Sequence, residues 1–199
     1  MVIGIDIDDV ITDSSELIME YAKKYLKSDD INLINNLLHG NDVNDELMNF
    51  YSNYLLKIQA NYKLKENVKE VIDRLKLDGH KIVIITARGT GKAHPSLLKL
   101  DQISVATKYL KKHQINYDKI IFRARDKREV CIENNLDFLI DDSVVVLESI
   151  KDTNVKPVFF NSISNKAIKT DFHTVSSWLE IEEYINNNRG GIDGKFNSN

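Results

Sequence analysis

Cysteine is almost absent: Cys131 is the only one in 199 residues. A lone thiol forms no internal disulfide, and with no Cys/His cluster at ligand spacing there is no zinc site, so a reducing cytoplasm is the expected compartment. Charge of one sign does not dominate either. With 27 basic and 30 acidic side chains the formal net charge is −3, which argues against a nucleic-acid polymer or an anionic membrane as partner. Long hydrophobic runs are also missing. None approaches the roughly 18 apolar residues of a membrane-spanning helix, and Asp6, Asp8 and Asp9 interrupt the opening segment, where a signal peptide would need an apolar stretch. His39, His80, His94, His113 and His173 are scattered, with no pair at ligand spacing, and no internal repeat is visible.

What is present is a core-forming composition, 42% hydrophobic, in a chain the length of one domain with a modest insertion. Short apolar runs at Val2 to Ile7, Ile82 to Ile85, Lys119 to Phe122, Phe138 to Ile140 and Pro157 to Phe160 alternate with amphipathic segments. That rhythm predicts parallel strands joined by crossover helices, a Rossmann-like, doubly wound α/β sheet. Val68, Val71, Ile72 and Leu75 recur at helical spacing and stop at Gly79, ahead of the strand at Ile82. Further helices are expected at Ala106 to His113, Arg128 to Asn134 and Val144 to Ile150.

Residues 13–65 break the rhythm, with helical patterns and no strand. Asp13 and Glu16 are placed for a capping box, followed by stripes at Leu17, Tyr21, Tyr25 and at Ile18, Ala22, Leu26; a second set runs Leu47, Tyr51, Tyr54, Leu55, Ile58. A small helical cap inserted after the first strand is the expectation, with the tyrosines in its core rather than forming a base-stacking platform. The core is then residues 1–12 and 66–185, with a flexible tail at 186–199 after a closing helix around Trp178 and Tyr184.

The first strand runs into Asp6-Ile7-Asp8-Asp9, and a later one into Asp141-Asp142. Parallel sheets bind ligands beyond the carboxyl ends of their strands, so both clusters belong at the functional rim. Adjacent carboxylates repel unless a cation lies among them, and an all-oxygen site of this kind suits Mg²⁺. Thr86 ends the strand at Ile82 to Ile85, and Lys127 precedes Asp141 by fourteen residues. A hydroxyl and an ammonium converging on a metal are what a phosphoryl group requires.

This order of motifs resembles the haloacid dehalogenase-like (HAD) phosphohydrolase superfamily, from Val2 to about Phe160. The Ile-Asp-Ile-Asp-Asp-Val opening, the Thr86-Ala87-Arg88 turn, the Ile140-Asp141-Asp142-Ser143 ending and the short helical insertion look most like the 5′-nucleotidase, deoxy (pyrimidine) type C group. The resemblance implies Asp6 as phosphoryl-accepting nucleophile and Asp8 as general acid and base. It implies Thr86 on the phosphate, with Ala87 and Arg88 beside it, and Lys127 balancing charge. Mg²⁺ would be held by Asp6, the backbone carbonyl of Asp8 and the acidic pair, with Asp142 as direct ligand and Asp141 behind it.

The implied activity is Mg²⁺-dependent hydrolysis of a small phosphorylated metabolite through an aspartyl phosphate, the substrate a nucleoside monophosphate. A sugar-phosphate phosphatase of the same fold is the nearest alternative, and a receiver-type phosphate-accepting signalling domain the rival from another class. A homodimer remains open. Gly89-Thr90-Gly91-Lys92 has a superficial likeness to a nucleotide P-loop, but Thr86 stands where its first glycine belongs and Ala93 replaces its hydroxyl residue, so the segment reads as an ordinary loop. Arg88 reads equally as a substrate contact or a solvated side chain; Arg123 and Arg125 read as surface.

Overall fold

The computed structural model describes residues 1–39, 45–90, 95–162 and 165–188. Six parallel strands form the central sheet: β1 (Val2–Ile5), β4 (Lys81–Ile85), β5 (Lys119–Ile121), β6 (Phe138–Asp141), β7 (Lys156–Phe160) and β8 (His173–Val175). Their order is β5-β4-β1-β6-β7-β8. The chain therefore builds outward from β1 in one direction, then returns to β6 on the other side of β1 and builds the opposite way. The β1/β6 junction is the point where strand order reverses, where open α/β sheets form their ligand crevice.

Alternation along the strands sorts the core into two layers. Ile3, Ile5, Ile82, Ile84, Phe138, Ile140, Val158 and Phe160 face one side, where α4 (Val68–Leu77), α5 (Gln102–Lys112) and α8 (Trp178–Asn187) contribute Leu75, Leu110 and Trp178. Val83, Ile85, Leu139 and Phe159 face the other, covered by Cys131 of α6 (Lys127–Glu133) and Leu147 and Ile150 of α7 (Val144–Ile150). The expected doubly wound architecture is what the strands and helices form. Gly4 lets β1 approach this second layer: a Cβ there would lie 2.5 Å from Leu136 Cδ1.

Between β1 and α4 stand α1 (Ser15–Leu26), α2 (Ile31–His39) and α3 (Asp45–Asn61), entered and left through a short antiparallel pair, β2 (Thr12–Asp13) with β3 (Lys63–Leu64). Tyr25 and Phe50 meet edge to face at 5.6 Å between ring centroids, and Tyr54 packs on Tyr21, Tyr25 and Phe50. The tyrosine stripes are thus the insertion's own packing. Gln59 Nε2 donates to Gln102 Oε1 at 3.3 Å, joining α3 to α5 inside the protein.

Several local expectations change. Asp13 lies in β2 and Ser14 is the N-cap of α1 with no side-chain cap bond, so the Asp13/Glu16 capping box does not form. Glu16, in α1, instead pairs with Lys63 of β3 at 2.7 Å. The backbone of Thr12 and Asp13 is committed to pairing with Leu64 and Lys63, which removes Asp13 from the cap position. β8 carries only His-Thr-Val and gives no apolar run to read. α8 continues through Asn187, into the segment expected as tail; residues 189–199, like Gly91 to His94, lie outside the described residues.

Candidate active site

The central strands bring the predicted residues to one rim. The Asp6 amide still donates to Ile140 O at 3.0 Å, one step past the end of β1, so its carboxylate stands beside the end of β6. Beyond it the chain closes a single helical turn, with Ile11 N and Thr12 N both donating to Ile7 O. Trp178 Nε1 pins that turn by donating to Val10 O at 2.9 Å. Asp9 takes a left-handed φ of 57° and accepts from the Ser14 amide, which turns the chain toward α1.

Lys127, the first residue of α6, is buried and bridges the two acidic clusters: Nζ lies 2.7 Å from Asp6 Oδ1 and 2.7 Å from Asp141 Oδ2. Asp141 Oδ1 accepts from the Ser143 amide at 2.9 Å, so both oxygens of Asp141 are engaged. No hydrogen bond reaches the Asp142 carboxylate among the described residues; its backbone carbonyl is held by Asn165 Nδ2 at 3.0 Å. Asn165 is buried and also donates to Phe160 O, fixing the acidic pair from the loop after β7. Sequence reasoning passed over Asn165 and the Trp178 anchor, since an isolated Asn and a buried Trp carry no motif.

Carboxylate oxygens of Asp6, Asp141 and Asp142 lie within 4.8 Å of one another. One ammonium does not neutralise three carboxylates, and the imbalance registers electrostatically. Burial pushes Asp6 up to about 7, with Lys127 opposing and Asp141 and Asp8 adding to the rise. Burial likewise raises Asp142 to about 8, reinforced by Asp6, Asp141 and Asp9. Burial works against the charge of Lys127, but Asp6 and Asp141 hold it well above the usual lysine range. A hard divalent cation fits this donor set: all oxygens, excess negative charge, and one carboxylate, Asp142, without a donor among the described residues.

Thr86 is buried at the end of β4; its Oγ1 accepts from the Arg88 amide at 3.2 Å, which leaves the hydroxyl hydrogen free to donate outward. Gly89, with φ of 82°, completes the turn and packs against Ile103, where a Cβ would be both strained and crowded. Ala87 is half-buried in the same turn. Arg88 is not solvated: its side chain is 2% exposed and grips Asp8, Nε to Oδ2 at 3.0 Å and Nη2 to Oδ1 at 2.6 Å. Arg123 and Arg125 are exposed, with Arg125 donating to Thr90 O.

Comparison with known proteins agrees with the geometry. The family model described as 5′ nucleotidase, deoxy (pyrimidine), cytosolic type C protein matches residues 1–190. A predicted phosphatase from Clostridium acetobutylicum superposes with a TM-score of 0.66 at 16% identity, over 94% of this chain and 98% of that one. A haloacid dehalogenase-like family hydrolase from Streptococcus pneumoniae gives 0.63 at 16%, over 92% and 97%. D,D-heptose 1,7-bisphosphate phosphatase from Burkholderia thailandensis gives 0.55 at 11%, over 92% and 97%. No curated protein matches. No helix among the described residues is long and apolar enough to cross a membrane. Resting on the family match along nearly its whole length, the chain belongs to the 5′-nucleotidase, deoxy (pyrimidine), cytosolic type C family and is a HAD-like phosphohydrolase.

Proposed function

We propose that this protein is a Mg²⁺-dependent 5′-nucleotidase that removes phosphate from (deoxy)nucleoside monophosphates through a phosphorylated Asp6. The observation that carries the reading is the bridge from Lys127 to Asp6 and Asp141, beside a half-buried Asp142 that lacks a donor among the described residues. Such a cluster draws in a cation and a phosphoryl group together.

In this scheme Asp6, the Asp8 backbone carbonyl and Asp142 hold Mg²⁺, while Asp141, with both oxygens occupied by Lys127 and Ser143, supports from behind. The bound ion would supply positive charge against the phosphate dianion. Asp6 must be ionised to attack phosphorus, and burial, with Asp141 and Asp8, opposes that; Lys127 favours the ionised form and offsets the repulsion between carboxylate and phosphate. Thr86 donates its hydroxyl to a phosphoryl oxygen, and the amide of Ala87, in the same turn, would donate to the same group. Asp8 gives a proton to the departing alkoxide, then accepts one from the water that attacks the aspartyl phosphate. The nucleoside choice rests on the family match, with α1 to α3 forming a cap, encoded by residues 13–65, that would select the leaving group. A sugar phosphate is the alternative substrate.

The test is phosphate release across a panel of nucleoside monophosphates and sugar phosphates, with Mg²⁺ and with excess chelator. Metal-dependent hydrolysis that favours deoxyribonucleotides is expected. Preference for sugar phosphates would move the substrate, and undiminished activity in chelator would remove the metal.

A further inference from the structure

Arg88 and Asp8 form an ion pair of unequal burial. The guanidinium is 2% exposed and the carboxylate 42%. The arginine is thus the fixed member. Its backbone is held in the turn by Thr86 Oγ1 and by the Arg123 amide, which donates to Arg88 O at 3.2 Å. Its guanidinium carbon lies 6.0 Å from the ring centroid of Tyr62, a buried residue in the return from α3. Both oxygens of Asp8 are engaged by this one group, side-on, at 3.0 and 2.6 Å. Nη1 is buried with no acceptor among the described residues, so the buried charge depends on Asp8 for its pairing.

We infer that Arg88 is the positioning residue of Asp8, acting on the reaction through that carboxylate rather than by touching substrate; the inference rests on the acid/base role proposed for Asp8. A free aspartate at a solvated rim samples several rotamers, of which few aim an oxygen at the group on Asp6. Two parallel hydrogen bonds to a planar fork select one orientation, which a lysine ammonium would not do. Because Arg88 sits on the turn after β4 and Asp8 on the turn after β1, the grip also fixes the two turns relative to one another, next to the segment that leaves the helical insertion.

The test is a double-mutant cycle at Asp8 and Arg88, read in kcat and KM on one nucleoside monophosphate. Asp8→Asn should lose about 10²- to 10⁴-fold in kcat. Arg88→Met should lose about 10- to 100-fold in kcat, as expected for a misplaced catalytic group, with KM within about twofold. Combined with Asp8→Asn it should cost nothing further, to within about twofold, because it acts through a group already disabled. Arg88→Lys keeps the charge and the stem and should recover only part of the loss. If circular dichroism shows Arg88→Met unfolded, the cycle is run with Arg88→Lys, whose single bond should still lower kcat by about fivefold or more at unchanged KM.

A stability readout is independent of turnover. Asp8→Asn leaves the buried guanidinium unpaired and should destabilise the fold more than Arg88→Met, although Asp8 is the more exposed partner. Losses that multiply in the double variant, or a raised KM with kcat preserved, would make Arg88 a substrate contact and overturn the inference. Near wild-type turnover of Asp8→Asn would refute the acid/base reading itself, a separate failure visible in the single variant.

Discussion

Asp142→Asn should make the metal-free protein more stable, and increasingly so as the pH rises. In the unfolded chain this carboxylate ionises near its ordinary value of 3.8, whereas burial and the neighbouring carboxylates raise it to about 8 in the fold. Below both values it is neutral in either state and its replacement changes little. Between them the unfolded chain ionises while the folded protein keeps the proton, so folding stability falls with rising pH by up to about 1.4 kcal/mol per pH unit for this one group. Above pH 8 the loss is complete.

Asp6, raised to about 7, titrates against the same neighbours, so the two acids share their repulsion. Between pH 5 and pH 8 we therefore expect the stability advantage of Asp142→Asn to grow by roughly 2–4 kcal/mol rather than the full single-site value. The assay is urea unfolding of wild type and variant at both pH values, first in chelator and then in Mg²⁺. Saturating Mg²⁺ should shrink the variant's advantage at pH 8, since a ligand at about 100 times its Kd adds about 2.7 kcal/mol to the protein that binds it. A variant less stable than wild type at pH 8 in chelator would refute the picture of three crowded carboxylates; equal gains from Mg²⁺ in both proteins would remove Asp142 from the metal.

Gly4→Ala should destabilise by about 1–3 kcal/mol through overpacking against Leu136, Ile85 and Leu139, seen as a lowered Tm with the activity of the folded fraction retained. Trp178→Phe strands the buried Val10 carbonyl, at about 1–3 kcal/mol, and should lower kcat as well because the turn carrying Asp6 and Asp8 loses its anchor. Cys131 is fully buried and burial pushes its thiol up to about 11, so a thiol-specific disulfide reagent at pH 8 should label it only in denaturant.

Most of the sheet was legible because parallel strands buried on both faces read as continuous apolar runs, as in Lys-Ile-Val-Ile-Ile and Phe-Leu-Ile-Asp. β8 was not, since an edge strand of His-Thr-Val needs only one buried residue, Val175. The β2/β3 pair was equally silent: two residues on each side carry no period, and their pairing across some fifty residues of helix is a tertiary event. The candidate site residues stood out because charge at the ends of apolar strands is conspicuous. Their partners were not. Nothing local says that Lys127 Nζ spans Asp6 and Asp141, that Asn165 holds the acidic pair, or that Arg88 turns inward to Asp8; each follows from strand order, which brings β4, β1, β6 and β7 side by side.

Asp6 itself is proposed to receive the phosphoryl group. Rapid acid quenching during turnover of a nucleoside monophosphate with Mg²⁺, followed by borohydride reduction, converts an aspartyl phosphate to homoserine that mass spectrometry can place in the sequence. Homoserine is expected at position 6 and lost in Asp6→Asn. Homoserine at Asp8 or Asp142, or rapid turnover of Asp6→Asn with no reduced residue anywhere, would contradict it.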